Sequence, residues 1–424
     1  MKKSIVILFS LFSCVTVFSQ GLILDKEKFK QAEQWVAPKK LGFSASDLPL
    51  SISYRNYCPA PKSQGQVSTC VGWAVAYGAL STQQNIAMNI TDPIEKWART
   101  FDPNFIYGFV KSNADQWCQQ GSSLSNAMLT LEQYGCKPYV WDPWLKCNDA
   151  NTFSEFTLAL ASYYKIEDYR AVPADNFVEN VKIALYYEKP VVVGINLTES
   201  FMKGSALNYG LWNPIAGENF IGGHAMCVIG YDDTKFGGAF EVMNSYGDKY
   251  ADDGFVWIKY SDFLQSVGEA YVMFTQKLNS GACSIGDCSN GYSRYKFENG
   301  EVYEGILANN QLDVYGAYLY TDGSLYMGGW KEGRKHGWGL LFDMTSKTFF
   351  STFYQNDVLT KYTAKGFALS ESESKTLNKV EEIKKSLPLK LADENDFEAT
   401  QKALSKFEAS DKPISVKQEP TKTK

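Results

Sequence analysis

The stretches "EVYEGILANNQLDVYGAYLYTDG" and "SLYMGGWKEGRKHGWGLLF" echo one another with a period of 23 residues. Tyr303-Glu304-Gly305 returns as Tyr326-Met327-Gly328, Gly300 as Gly323, and Gly316 as Gly339. A worn third copy runs through Phe349 and Ser351. So short a fixed period means one small supersecondary unit stacked on copies of itself. Tyrosine and tryptophan suit packing and glycine suits turning, so each copy reads as a β-hairpin. A row of such hairpins offers an extended surface. No acid pair, metal-ligand cluster or phosphate loop falls in 293–358, so chemistry has to be sought elsewhere in the 424 residues.

Upstream, residues 47–277 have a globular composition. Helical patterns at 70–82 and 122–135 come first. Strand-like runs follow: "PVVVGINL", "HAMCVIGYDD", "AFEVMNSYG", "GFVWIKY" and "AYVMF". They are rich in Val, Ile, Tyr and Phe and are separated by Gly, Asp and Asn. Helices before antiparallel strands predict an α+β domain with two lobes. Residues 278–292 read as a linker in which Cys283 and Cys288 could close a small loop. Residues 359–424 read as a charged tail, helical over 370–387 and then too polar to order itself.

The first residues, "MKKSIVILFSLFSCVTVFSQG", have a basic start, a short apolar run and a small residue at Ser19. That is the pattern of a signal peptide spanning 1–19, cleaved before Gln20. The rival is a lipoprotein site at Cys14. A short charged segment, 20–46, follows. No later stretch reaches membrane-spanning length. The protein is therefore expected to be exported: secreted, periplasmic or surface-associated. A net charge of -5 with both signs interspersed argues against nucleic-acid or polybasic membrane partners. Export favours disulfides. If Cys70 stays free and Cys227 is a buried single thiol, six cysteines remain for up to three bridges, with connectivity open.

Cys70 lies where the polar loop "SQGQVST" hands over to the apolar run "VGWAVAYGAL". A thiol reacts as its thiolate, and a helix N-terminus favours that anion through free N–H groups and aligned peptide dipoles. The alternative is an inert buried thiol or half of a disulfide. A nucleophile also needs a base, and the chain has only two histidines. His336, in "RKHGWG", falls in the repeats and reads as an exposed turn residue. His224 stands at the start of a strand-like run, which leaves it as the candidate base. Asn244, at the end of the next run, could accept from its imidazole and orient it. The Asp pairs at 232–233 and 252–253 read as turn residues.

In this order, Cys70, His224 and Asn244 resemble the papain-like cysteine peptidases. The resemblance covers about residues 47–270. It implies a two-lobed α+β fold and a cysteine-type peptidase acting on proteins or peptides through a thioester, with no metal or organic cofactor. It implies a Cys70 thiolate paired with a His224 imidazolium, Asn244 as orienter, and an oxyanion hole made by the Gln64 side chain and the Cys70 N–H. Gln66 competes for that role but lies closer to the nucleophile. Gly121 and Gly223 are assigned to substrate backbone. The chain departs from the pattern at Val71-Gly72, inserted before Trp73. It departs again at Tyr246, which must shield the His–Asn bond in place of a tryptophan, and at Val67, where a disulfide cysteine is common. The segment after Gln20 is too short for the usual inhibitory propeptide. The Tyr-x-Gly period resembles MORN repeats, which implies protein or lipid contacts, or simple packing. A catalytically inactive binding protein and an acyl or peptide transferase are the other functional readings.

Overall fold

The structure, a computed structural model, describes residues 21–36, 47–139, 147, 149–153, 155–162, 164–204, 207–275, 282–346 and 348–365. The expected signal segment with Cys14, positions 278–281 of the expected linker and the tail from 366 lie outside the described residues.

The first sheet is built from β1 (Ser51–Ser53), β2 (Ile166–Ala171), β3 (Val191–Thr198), β4 (Leu207–Asn208), β5 (Leu211–Trp212), β6 (Phe220–Asp232), β7 (Ala239–Met243), β8 (Phe255–Lys259) and β9 (Val267–Thr275). Their order is β2-β9-β3-β6-β7-β8-β5-β4, with β1 paired to β6. The sheet is antiparallel except that β5 runs parallel to β8, a departure from the antiparallel lobe expected. Alternation along the central strands feeds two cores. Val192, Ala225, Cys227 and Ile229 face the helices. Val191, Val193, Ile195, Met226 and Val228 pack in the other lobe. Strands buried on both faces explain why "PVVVGINL" and "HAMCVIG" are almost wholly apolar.

Three helical segments, Cys70–Gly72, Trp73–Leu80 and Ser81–Ala87, continue one another. The middle one is wide, with the Ser81 N–H returning to the Ala76 carbonyl five residues back. Glycines let this helix pack closely. A Cβ on Gly72 would stand 2.1 Å from the Pro103 carbonyl oxygen, and one on Gly78 3.0 Å from Cys227 Cβ. A second expected helix is observed at Leu124–Tyr134. The disulfides are Cys118–Cys147 and Cys283–Cys288. Cys58 and Cys136 are buried free thiols, so two bridges replace the possible three; Cys227 is single and buried, as expected.

The second sheet runs β10 (Cys283–Ile285), β11 (Gly291–Lys296), β12 (Val302–Ala308), β13 (Gln311–Leu319), β14 (Leu325–Lys331), β15 (Arg334–Asp343), β16 (Thr348–Gln355) and β17 (Val358–Lys365), paired in strict sequence order. Three of its turns are two-residue turns with positive φ at both positions: Asn309-Asn310, Glu332-Gly333 and Asn356-Asp357. Such turns match the strand twist. The repeated glycines make room for the repeated tyrosines. A Cβ on Gly316 would fall 2.3 Å from the Tyr303 ring, and one on Gly339 2.4 Å from the Tyr326 ring. β10 falls within the range read as linker, because the Cys283–Cys288 loop folds back to pair with β11. β17 runs from Val358, the last repeat position, into the range read as tail, paired with β16. His336 is a strand residue of β15, with Nδ1 3.0 Å from Asn356 Oδ1, not a turn residue.

The linker reading separates the two sheets, whereas the structure joins them. Trp97 and Ala98 pack on Tyr315, Leu325, Met327 and Phe342. Beside them Arg99 is ion-paired with Glu304, and Arg294 with Glu95. Arg294 also lies 3.4 Å from Glu304. Tyr292 donates to Glu304 and bonds Tyr164. Arg99 and Glu304 are buried and Arg294 and Glu95 partly so, and each depends on the partner across the junction.

Candidate active site

Cys70 opens its helix, so its backbone N–H is one of the first-turn donors without a helical acceptor. Its Sγ receives backbone N–H groups from Ala225 on β6 and from Gly21. The Ala225 contact sets β6, the strand that carries His224, against the thiol. His224 Nε2 lies 2.8 Å from Asn244 Oδ1, while its buried Nδ1 has no hydrogen-bond partner among the described residues. Asn244 follows β7 directly, and its Oδ1 also accepts the Ser245 N–H at 2.8 Å. The Tyr246 ring stacks on His224, with centroids 4.8 Å apart and planes 30° apart. Tyr246 thus covers the imidazole, as the departure at that position requires.

Gln64 is buried and Gln66 exposed. Gln64 Oε1 accepts from Ser245 Oγ at 2.6 Å, and Nε2 donates to the Val67 carbonyl at 2.6 Å. These bonds fix which end of the amide is the donor and leave Nε2 its second hydrogen. The Gln64 N–H donates to the Ser245 carbonyl at 2.9 Å, tying the loop before Cys70 to the loop after Asn244.

Burial sets the charge state. It pushes the Cys70 thiol up to about 11, against the backbone N–H groups that favour the thiolate. It lowers His224 to about 4, against the Asn244 bond that favours the imidazolium. Both residues are fully buried. In this closed form burial opposes charge on both groups, the reverse of the direction that a thiolate–imidazolium pair needs. The ion pair needs solvent or substrate dipoles that a closed cleft does not supply.

Gly121 and Gly223 stand on opposite sides of the cleft, and residues 21–23 lie between them. The Leu22 N–H points to the Gly223 carbonyl at 3.3 Å. The Ile23 N–H donates to the Ser122 carbonyl at 2.8 Å, and the Ser122 N–H to the Gly21 carbonyl at 2.8 Å. The pairing partner is thus Ser122. Gly121, with φ +77, lets the segment pass, since a Cβ there would stand 2.6 Å from the Gly21 oxygen. A Cβ on Gly223 would stand 2.6 Å from the Leu22 oxygen.

The family model described as papain family cysteine protease matches residues 109–274. This stretch is a papain-family cysteine protease domain. The matched stretch of this protease domain contains Gly121, Gly223, His224 and Asn244; Gln64 and Cys70 precede it and are carried to it by the fold. A curated relative, an uncharacterized peptidase C1-like protein of Acanthamoeba polyphaga mimivirus, is 28% identical over 210 residues, which is 46% of this chain and 63% of the relative. The chain thus spans less than two thirds of that relative's length. Among solved structures, xylellain, a cysteine protease from Xylella fastidiosa, is similar in fold, with a TM-score of 0.51 at 21% identity. It covers 61% of this chain and 97% of its own.

Sequence reasoning missed three features around the cleft: the segment that lies in it, the Ser245 hydroxyl bonded to Gln64, and the buried Glu269. Gly194 interrupts a run of valines and was the one local signal of a recess there. The acidic pairs are structural. Asp232 accepts from Thr234 and Lys235 in its turn, Asp233 pairs with Lys182, and Asp252 pairs with Arg55.

Proposed function

We propose that the protein is a cysteine peptidase that hydrolyses peptide bonds in protein or peptide substrates, with Cys70 as nucleophile and His224 as base and acid. The observation that carries this reading is the commitment of His224 Nε2 to Asn244, which leaves Nδ1 for the thiol at a helix N-terminus. The Cys70 proton passes to His224 Nδ1 as Sγ bonds the scissile carbonyl carbon. The resulting oxyanion accepts from the Cys70 N–H and from the free hydrogen of Gln64 Nε2. Donors fixed where charge develops contribute about two to three powers of ten in rate. His224 then protonates the leaving amine as the C–N bond breaks, giving a thioester. Water attacks the thioester, its proton goes to His224, and the acid leaves as Cys70 regains its proton. Asn244 holds the imidazole orientation throughout, and Tyr246 keeps water from its outer face.

On this reading the N-terminal signal exports the enzyme, an environment in which its two disulfides persist. The second sheet is MORN-like and serves mainly to brace the protease domain, a role supported by the buried contacts of Arg99 and Trp97. The deciding experiment is digestion of a peptide library by the wild-type chain beside Cys70→Ala. Defined cleavage products from the wild type alone support peptidase chemistry. Equal products from both, or none from either under any condition that exposes Cys70, refute it.

A further inference from the structure

The segment Gly21–Leu24 occupies the groove that a substrate backbone needs. It bonds both walls, through Ser122 on one lobe and Gly223 on the other, and its first N–H lies on Cys70 Sγ. Its side chains fill a recess made by two glycines of the sheet. A Cβ on Gly194 would stand 2.7 Å from Leu22 Cδ2 and 3.1 Å from Leu24 Cδ2, and one on Gly268 2.9 Å from Leu24 Cδ2. The segment is moored downstream. Asp25 caps the helix Lys26–Gln31. Phe29 meets the Tyr271 ring edge-on at 5.5 Å. The Trp35 N–H donates to the Ala171 carbonyl at 2.8 Å, and its indole is buried in the β-lobe core.

Glu269 lies in the same recess. Its Cγ is 2.9 Å from the position of a Gly194 Cβ, beside the two leucines. Its Oε1 is buried without a hydrogen-bond partner among the described residues, and its Oε2 has one weak donor, the Tyr271 hydroxyl at 3.3 Å. The groups that face it are few. The strap contributes Asp25, which is itself ion-paired with Lys28 at 3.5 Å. Its own strand contributes Tyr271, behind which stands Tyr169 on β2. β3, which pairs Gly194 with Glu269, carries no titratable residue. Among the described residues, an ionised Glu269 under Leu22 and Leu24 therefore has no cation beside it and a carboxylate nearby.

We propose that residues 21–24 are a built-in strap that closes the substrate cleft, held while Glu269 is protonated and released when it ionises. The inference rests on the peptidase reading of the cleft. Burial, with Asp25 adding, raises the Glu269 carboxyl from the usual 4.5 to about 7 in the strapped form. The strapped form thus binds more protons than the released form between those values. Rising pH favours release across this window, by at most about two and a half powers of ten, and the effect levels off above it. Release also opens Cys70 and His224 to solvent, which favours their ionised forms.

The test compares the wild-type chain, Leu22→Ser/Leu24→Ser and Glu269→Gln from pH 5 to 8.5. It reads iodoacetamide labelling of Cys70 by mass spectrometry and casein hydrolysis in parallel. The ratio of labelling rates, double variant over wild type, is expected at about tenfold or more at pH 5, shrinking toward neutral pH. Glu269→Gln should keep its strap, so its labelling should lag the wild type at pH 7.5; this arm stands alone if the double variant does not fold. A ratio of one at pH 5, or Glu269→Gln indistinguishable from wild type at pH 7.5, overturns the strap. Fast labelling of the double variant with no casein cleavage sinks the peptidase reading and leaves the strap standing. Equal casein cleavage by both at pH 5 does the reverse.

Discussion

The two sheets of this protein are of similar size and opposite logic. The second pairs its eight strands in chain order, and its neighbours in space are its neighbours in sequence. Its tyrosines lie over its own glycines, and one rule repeated along the chain builds it. The first sheet interleaves distant segments: β9 lies between β2 and β3, and β6 between β3 and β7. That interleaving brings residues 21, 64, 70, 224 and 244 to one place. Local repetition builds a surface, and long-range crossing builds a site. The contrast has one exception, the buried junction of Arg99, Glu304 and Arg294, where the repetitive sheet supplies what the catalytic domain lacks.

The junction gives the largest expected effect. Glu304→Ala leaves the buried Arg99 without a counter-ion and Arg294 with Glu95 alone, and should cost about 3–5 kcal/mol. Thermal unfolding should show one transition, lowered for both sheets together. Two separate transitions, with the protease domain unmoved, would mean that the sheets fold independently. Next comes Gln64→Ala, expected to lower kcat by about two to three powers of ten with little change in KM. Gln66→Ala should do much less, since Gln66 is exposed and bonds Gln119 through its backbone carbonyl. A reversed order would move the oxyanion site. Gly316→Ala drives a methyl into the Tyr303 ring and should cost about 1–3 kcal/mol by overpacking. Its signature is a lower melting temperature with unchanged kcat/KM on a short peptide; a lost kcat/KM would show that the repeat sheet shapes the cleft. The smallest effect belongs to His336→Ala, within about 0.5 kcal/mol and without effect on turnover. A large loss of activity there would break the assignment of His224 as the base.

The sequence was most legible where a rule was local. The 23-residue period predicts the hairpins because each tyrosine–glycine pair is satisfied within one unit. Cys70, His224 and Asn244 were singled out by elimination and resemblance, since two histidines leave little choice; the structure bonds His224 to Asn244 and sets the next residue, Ala225, on Cys70. What stayed hidden depends on contacts between remote segments. Nothing local to "GLILDKEKF" says that it lies in a cleft, because its partners are Ser122 and Gly223. Nothing local to Arg99 says that its counter-ion is Glu304. The linker reading failed for the same reason: the polar, glycine-rich stretch holds a disulfide loop whose strand pairs onward into the second sheet.

The central claim is that Cys70, served by His224, is the thiol that carries the acyl group. Among the described residues four cysteines are free: Cys58, Cys70, Cys136 and Cys227. The most direct measurement is to mix the wild-type chain with a peptide ester at pH 7.5, quench in acid within the first turnover, and map the acyl adduct by mass spectrometry. The adduct should sit on the peptide that contains Cys70, decay at the rate of turnover, and be missing from His224→Ala. An adduct on Cys58, Cys136 or Cys227, or steady hydrolysis with no adduct on Cys70, would contradict the account.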